Sequence, residues 1–295
     1  MLARLAAERR TGNRRSRTSN LGVELSEDEE FDLGDLEPEE RPPDPREREA
    51  AGELLAFFES HRDQVFFSRQ IEVQREDSYF HWITNRALRE LRDAGEILGE
   101  TRRLSTGSSI NLLWHRRYRF YRRSAARLVS LVEEYADPNV GGVVGLHGEF
   151  MVLEGFARSE FVMRGRNTRA FGGKTWTDTD HNLDFIFEKD NQAYGLEVKN
   201  TLGYMDYDEF QTKIGLCQSL GIRPVFVACM LPRTWMNELI TAGGFGLILK
   251  YQLYPWSHKV LARRIATELG LPVDAPRALN DSTMNRFMAW HRKNL

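Results

Sequence analysis

Lysine is scarce in this 295-residue chain: seven lysines stand against thirty-four arginines. Cysteine is scarcer still. Cys217 and Cys229 lie in apolar patterns without metal-ligand spacing, so a cysteine metal site is excluded. They read as small buried residues suited to a reducing compartment. No apolar run approaches the roughly 18 residues of a membrane span. The arginine-rich start has no apolar segment behind it, which argues against a secretory signal. The expectation is a cytoplasmic or nucleoid-associated chain that is not secreted and has no membrane partner. A net charge of -2 excludes a chain that is basic throughout, although local charge is another matter. With 41% hydrophobic and 28% charged residues, the composition is that of a soluble globular protein. The length suggests about two domains.

Against that scarcity, one lysine is conspicuously placed. Residues 181–200, HNLDFIFEKDNQAYGLEVKN, read as two short strands joined by the polar turn Lys189-Asp190-Asn191-Gln192. In a strand, residues two apart share a face. Glu197 and Lys199 therefore point one way, while Leu196 and Val198 point into a core. Pairing across the turn brings Asp184 beside Glu197. Two adjacent carboxylates repel and raise each other's pKa. A divalent cation removes that conflict, and carboxylate oxygens are what Mg²⁺ prefers. A lysine beside the metal can help to deprotonate a bound water or can stabilise developing negative charge. An arginine can supply charge but not a base. Taken alone, the hairpin reads equally well as two ordinary strands with charges on a wet face.

The rest of the chain changes that balance. Residues 1–46 form a charged tail: a basic arm from Arg4 to Arg17, an acidic stretch centred on Glu27-Asp28-Glu29-Glu30, then prolines. Charge blocks and low apolar content argue disorder. The tail reads either as a solubilising segment or as an arm that touches DNA phosphates. Residues 47–117 then show a helix over 47–61, a short helix from 67 and a third helix over 79–94. Phe80, Ile83, Ala87, Leu88 and Leu91 of the third helix follow the 3.6-residue period. Its other face carries Thr84, Asn85, Arg86 and Arg89. Strands over 96–104 and 109–115 follow. Three helices and a hairpin resemble a winged helix-turn-helix, which places the third helix in a major groove and uses the hairpin as the wing. Residues 60–127 hold fourteen arginines against eight acids, a net charge of +6, the footprint of phosphate binding. Arg116, Arg117 and Arg122, in a basic, partly helical segment over 114–136, are candidate DNA contacts, and residues 118–139 read as a basic linker helix. The alternative is a winged helix used for protein contacts. Asp137-Pro138 is expected to end the linker helix, with Gly141-Gly142 as a flexible junction.

Residues 140–256 hold the hairpin. A helix is expected from 145 to 159 with Glu149 on its apolar stripe near the N-terminus. The segments at 161–163 and 171–176 read as strand or loop, with Arg164, Arg166 and Arg169 in a basic loop. A helix over 206–220, a buried strand over 223–229, a helix over 233–242 and a strand over 245–249 follow. This is an α/β pattern, a mixed sheet flanked by helices. Glu149, Asp184 and Glu197-Val198-Lys199 occur in that order on a helix and two strands. On these residues the domain resembles the PD-(D/E)XK nuclease superfamily, whose restriction-endonuclease-like core is αβββαβ. Leu183 departs from the family's proline. The resemblance implies Mg²⁺- or Mn²⁺-dependent cleavage of DNA phosphodiester bonds, with no small-molecule cofactor. It implies that Asp184, Glu197 and the carbonyl of Val198 hold the metal, that Lys199 orients or activates water, and that Glu149 assists. Lys213, on the next helix, reads as a phosphate contact or as part of a solvated face, and Gln211 as the same. Asp180 and His181 read as loop-shaping residues. A homodimer suits paired cuts. Residues 257–295 read as a C-terminal helical extension without chemistry. The rival to a DNA endonuclease is a DNA-binding regulator or scaffold whose nuclease-like domain is inactive.

Overall fold

The computed structural model describes residues 45–295. The basic arm and acidic stretch of the tail lie outside the described residues. The first described elements are α1 (Pro45–Ser60), β1 (Val65–Phe67), α2 (Ser68–Arg75), α3 (His81–Asp93), β2 (Ile97–Arg103) and β3 (Ser109–His115). β3 lies between β1 and β2, antiparallel to both. Leu54 and Phe58 of α1 meet Ile83, Ala87 and Leu91 of α3 in one buried cluster. Each such buried Leu, Ile or Phe side chain contributes roughly 1.5–3 kcal/mol over leaving it in water.

Two consecutive helices follow, α4 (Tyr121–Tyr135) and α5 (Pro138–Arg158). α4 ends just before Asp137-Pro138, as expected, but no flexible junction follows at Gly141-Gly142. The Asp137 side chain accepts from Asn139 N–H at 2.7 Å and caps α5, with Pro138 in the first turn. An aspartate N-cap followed by proline at N1 is a favoured helix start, because proline's missing donor is unneeded there. Gly141 and Gly142 lie inside the helix.

β4 (Val162–Thr168), β5 (Ala170–Phe171), β6 (Lys174–Thr175), β7 (Leu183–Lys189), β8 (Gln192–Lys199), α6 (Tyr207–Leu220), β9 (Arg223–Ala228), α7 (Arg233–Thr241) and β10 (Phe245–Ile248) complete an α/β unit. Its five-stranded mixed sheet runs β10-β9-β8-β7-β4. β7 is antiparallel to β4 and β8, whereas β8, β9 and β10 are parallel. The β7–β8 turn holds Asp190 and Asn191 at φ 51° and 59°. Both are residue types that tolerate the left-handed region which two-residue hairpin turns require. Arg164 and Arg166 are not in a loop. They lie on β4, whose pairing with β7 supplies the backbone partners that a loop would lack. One sheet face packs Phe185, Phe187, Leu196 and Val225 against Val152 and Phe156 of α5. The other packs Ile186 and Ala193 against Leu216, Cys217 and Leu220 of α6.

The C-terminal residues do more than extend the chain. β11 (Gln252–Leu253) pairs with β12 (Val273–Asp274), with α8 (Lys259–Arg264) between them. α9 (Asp281–Lys293) places Phe287 against Phe156 and Trp290 against Phe245. A fourth cluster joins Phe67, Leu112 and Trp114 to Leu131 and Tyr135 of α4, and to Tyr254, Ile265 and Leu269. α4 is thus a core helix of that cluster. No helix among the described residues is long and apolar enough to cross a membrane.

Candidate active site

The β7–β8 register pairs Phe185 with Leu196, so Asp184 stands opposite Glu197 one step further along. Asp184 Oδ2 accepts from Val198 N–H at 2.7 Å. This bond fixes the Val198 peptide, and among the described residues no donor reaches Oδ1. Glu197 is 4% exposed. The alternation of the strand turns it toward α6 while Leu196 fills the opposite core.

α6 starts at the Asp206 cap, whose side chain accepts from Glu209 N–H at 3.0 Å. Its first two turns present Glu209 and Lys213, four residues apart and therefore neighbours on the helix surface. Lys213 Nζ lies 2.6 Å from Glu197 Oε2 and also donates to the carbonyl of Asn182. Lys199 Nζ lies 3.0 Å from Glu209 Oε1 and 3.5 Å from Glu197 Oε1. The four side chains form an alternating row, Glu209, Lys199, Glu197, Lys213, with Asp184 beside it.

Electrostatics follow from this geometry. Burial, then repulsion by Asp184, raises Glu197 to a pKa of about 7 against the pull of Lys213 and Lys199. Burial also raises Asp184, opposed by the Val198 amide and Lys213. Lys199 is raised: burial works to lower it, but Glu197 and Glu209 together outweigh burial. In this arrangement Lys199 is held as a cation, which suits an orienting or charge-stabilising role rather than a base.

Beyond Lys199 the strand end is clamped. Asn200 Nδ2 donates to the carbonyls of Val144 and Leu253 at 2.8 and 2.7 Å, and its Oδ1 accepts from Leu253 N–H at 2.7 Å. These bonds tie the residue after Lys199 to α5 and β11 at once.

The other expected residues fall into distinct places. Glu149 is not near the start of its helix. It is the twelfth residue of α5, beyond the reach of the helix dipole, half-buried and 3.4 Å from Arg166 Nη2. It still acts on Asp184 through charge. Lys213 is no solvated or outward phosphate contact. At 5% exposure it is turned into the acid cluster, because it shares the inward stripe of Phe210, Ile214 and Cys217. That spacing could have revealed it from sequence. Glu209 had a weaker signal, an acid four residues before a buried lysine. Gln211 donates to Glu238 of α7. Asp180 pairs with Arg169 at 2.9 Å, and His181 Nδ1 lies 2.9 Å from Thr179 Oγ1.

On α3, Thr84 is fully buried and not on the outer face. The helical period places it beside Ile83 and Ala87. Asn85 and Arg89 are exposed. Arg86 is exposed but pairs with Glu47 of α1 at 2.8 Å. Arg116 pairs with Glu96 at 3.2 Å, whereas Arg117 and Arg122 are exposed and have no ion pair among the described residues.

No protein-family model matches the chain. Over 111 residues it is 30% identical to the ribosomal protein uS12 methylthiotransferase RimO of Pseudomonas syringae pv. tomato, covering 37% of this chain and 24% of that protein. The same identity and share of this chain hold for RimO of Pseudomonas savastanoi pv. phaseolicola, of which 23% is covered. The chain thus spans about a quarter of the length of the curated relatives it matches. The crystal structure of protein VC1899 from Vibrio cholerae is similar at 16% identity with a TM-score of 0.24, covering 86% of this chain and 58% of that one.

Proposed function

We propose that this chain is a divalent-metal-dependent DNA endonuclease, with a restriction-endonuclease-like core over residues 140–256 and a winged helix-turn-helix over residues 47–117. One observation carries the reading. Asp184 and Glu197 lie side by side on adjacent strands, with Lys199 on the face of Glu197. Burial raises both carboxyl groups, and to it repulsion by Asp184 adds for Glu197 and repulsion by Glu149 for Asp184. The strand order, a three-stranded antiparallel meander extended by a parallel strand beyond a helix, supports the same assignment.

The donor set fits Mg²⁺ or Mn²⁺. It is all oxygen, Asp184 Oδ1 has no donor among the described residues, and Glu197 Oε1 has only the long contact to Lys199. Among the described residues no group of three or more His, Cys, Asp or Glu side chains is placed to hold a metal. Two carboxylates with retained waters are the usual protein share of an Mg²⁺ site. Asp184, Glu197 and the carbonyl of Val198 would hold the ion, which supplies Lewis-acid activation of water and of the phosphate. Lys199 then holds an attacking water or a non-bridging phosphate oxygen, and Glu209 fixes its ammonium. Lys213 keeps Glu197 in its rotamer. Outward residues of α3 and the arginines after β3 bring DNA to the site.

The test is nicking of supercoiled plasmid and of branched DNA with Mg²⁺ or Mn²⁺. Cleavage by the wild type, abolished in Asp184→Ala and in Lys199→Ala, is expected. Absence of cleavage by the wild type, or full activity in Asp184→Ala, refutes the catalytic reading. Metal binding without cleavage would instead favour the inactive regulator or scaffold.

A further inference from the structure

The basic segment after β3 differs from the rest of the charged surface. Of the fourteen arginines in residues 60–127, seven lie in ion pairs, as Arg86 does with Glu47 and Arg116 with Glu96. Those cations are already matched within the fold. The other seven are exposed, and none has an ion pair among the described residues. Of these, Arg89, Arg92 and Arg103 are spread over α3 and β2, whereas Arg117, Arg119, Arg122 and Arg123 fall within seven consecutive residues. In their midst stands Phe120. It is 84% exposed, the highest value among the large exposed hydrophobic side chains described.

This exposure is built into the turn. On one side Tyr121 stacks on Trp114 at 4.0 Å between ring centres, with 11° between planes. On the other, Tyr118 Oη lies 2.7 Å from Ser124 Oγ, and Tyr118 N–H donates to the carbonyl of His115 at 2.9 Å. Both neighbours of the intervening residues are anchored, and the ring of Phe120 is left outside. A bare phenyl ring in water forgoes burial that the core offers elsewhere. Its surroundings state the chemistry of what covers it: a flat apolar group bordered by negative charge. A nucleobase between phosphates has that composition. Every base has a π-face for an aromatic ring, and arginines nearby match the backbone. Inside a duplex both faces of a base are already stacked, so the ring selects a base that has lost a neighbour.

We propose that Phe120, with Arg117, Arg119, Arg122 and Arg123, forms a stacking site for an unpaired base, so that the DNA bound by this chain carries a single-stranded segment. The inference rests on the DNA reading above and narrows it to substrates with an unpaired strand. The β2–β3 register pairs Ile97 with His115 and Arg103 with Ser109. The ladder thus runs roughly 20 Å from the wing tip to His115, the end from which the chain leads to Phe120. That separation lets the wing hold duplex while Phe120 meets the strand that leaves it.

The experiment uses the full chain in EDTA, so that binding is read without cleavage. Fluorescence anisotropy compares a 30-base-pair duplex with the same duplex carrying a single-stranded extension, at several salt concentrations. The wild type should bind the extended DNA more tightly. Phe120→Ala should weaken that binding roughly 5- to 150-fold and leave duplex binding unchanged. Phe120→Tyr should restore it, with the same salt slope in all three proteins, since no phosphate contact is lost. An affinity of Phe120→Ala equal to wild type on extended DNA, or an equal loss on both DNAs, overturns the stacking site. Failure of the wild type to bind either DNA overturns the DNA reading itself. A Phe120-dependent affinity for phosphatidylglycerol vesicles, with DNA binding unaffected, assigns the ring to a lipid surface instead and overturns the proposal.

Discussion

Replacing Glu197 by glutamine removes one buried titrating group while keeping its size and an oxygen for Lys213. The folded protein holds the Glu197 carboxyl at a pKa of about 7 against an ordinary 4.5. Between those pH values the folded chain keeps a proton that the unfolded chain has released. By linkage, this group's contribution to stability is fully present below pH 4.5 and is lost as pH rises through 7. Each tenfold difference in proton affinity between the folded and unfolded chain is worth about 1.4 kcal/mol. The gap makes the wild type lose about 3 kcal/mol of stability between pH 4.5 and 8 that Glu197→Gln does not lose. Glu76, also raised to about 7 by burial, adds a slope of the same sign, but it is present in both proteins and cancels in the difference. The measurement is urea unfolding in EDTA at constant ionic strength, at five pH values from 4.5 to 8. The stability difference between the two proteins should shrink by about 3 kcal/mol across that range as the wild type falls, or reverse if the variant starts close behind. Parallel profiles separated by a constant offset would refute the claim that Glu197 is strained by burial and by Asp184. Millimolar Mg²⁺ should flatten the wild-type profile, because an ion bound by the carboxylates competes with the proton.

Two further outcomes test the packing around the site. Lys213→Met leaves Glu197 buried with only the 3.5 Å contact to Lys199, and should cost roughly 3–5 kcal/mol. The double variant Lys213→Met/Glu197→Leu should recover most of that loss in a denaturation cycle, which a merely bulky effect of methionine would not allow. On α5, a methyl group at Gly148 would meet Asn200 Cβ at 2.5 Å, whereas one at Gly145 would meet nothing within 4 Å. Gly148→Ala should therefore destabilise by roughly 1–3 kcal/mol through overpacking. Gly145→Ala should stabilise by about 0.4–1 kcal/mol through the unfolded state, as read by thermal melts.

Local periodicity made the hairpin legible in the sequence. Alternation in residues 183–189 and 192–199, together with an Asp-Asn turn, is enough to put Glu197 and Lys199 on one face. α6 was equally legible, with an Asp206 cap at one end and Gly221 at φ 73° at the other. The start of α5 was not, because Asp137-Pro138 carries two meanings. The residue before a proline resists helix, which ends α4, and the same pair opens the next helix. The charge map was hidden for another reason. Whether an arginine is free depends on distant partners, such as Glu47 for Arg86, thirty-nine residues away. Composition reports +6 for residues 60–127, but only the fold shows that four of the seven arginines left without an ion pair flank Phe120 in the chain. Two-residue strands such as β11 and β12 have too few positions to show any period.

The lysine scarcity takes on a sharper meaning in the folded site. Two of the seven lysines, Lys199 and Lys213, lie within the one acidic row, where Asp184, Glu197 and Glu209 supply three carboxyl groups. With all five ionised the row carries one net negative charge, and burial makes that excess costly, which is why the Glu197 carboxyl titrates near pH 7. A proton removes the excess at low pH. A dication overcompensates it by one charge and leaves the row ready for one phosphate anion. Arginine in place of either lysine would bring a planar fork that needs two acceptors in its plane. Lys213 instead has an ammonium that reaches one carboxylate oxygen and one carbonyl from different directions. Lys199 bridges two carboxylates on different elements in the same way. Point-like cations suit the exchange of proton, metal and phosphate that the proposed function requires, because each can re-aim without leaving its helix or strand. On this reasoning the row is a charge-matching device, and under the nuclease function proposed above its ionisation state at a given pH would decide whether metal and DNA enter.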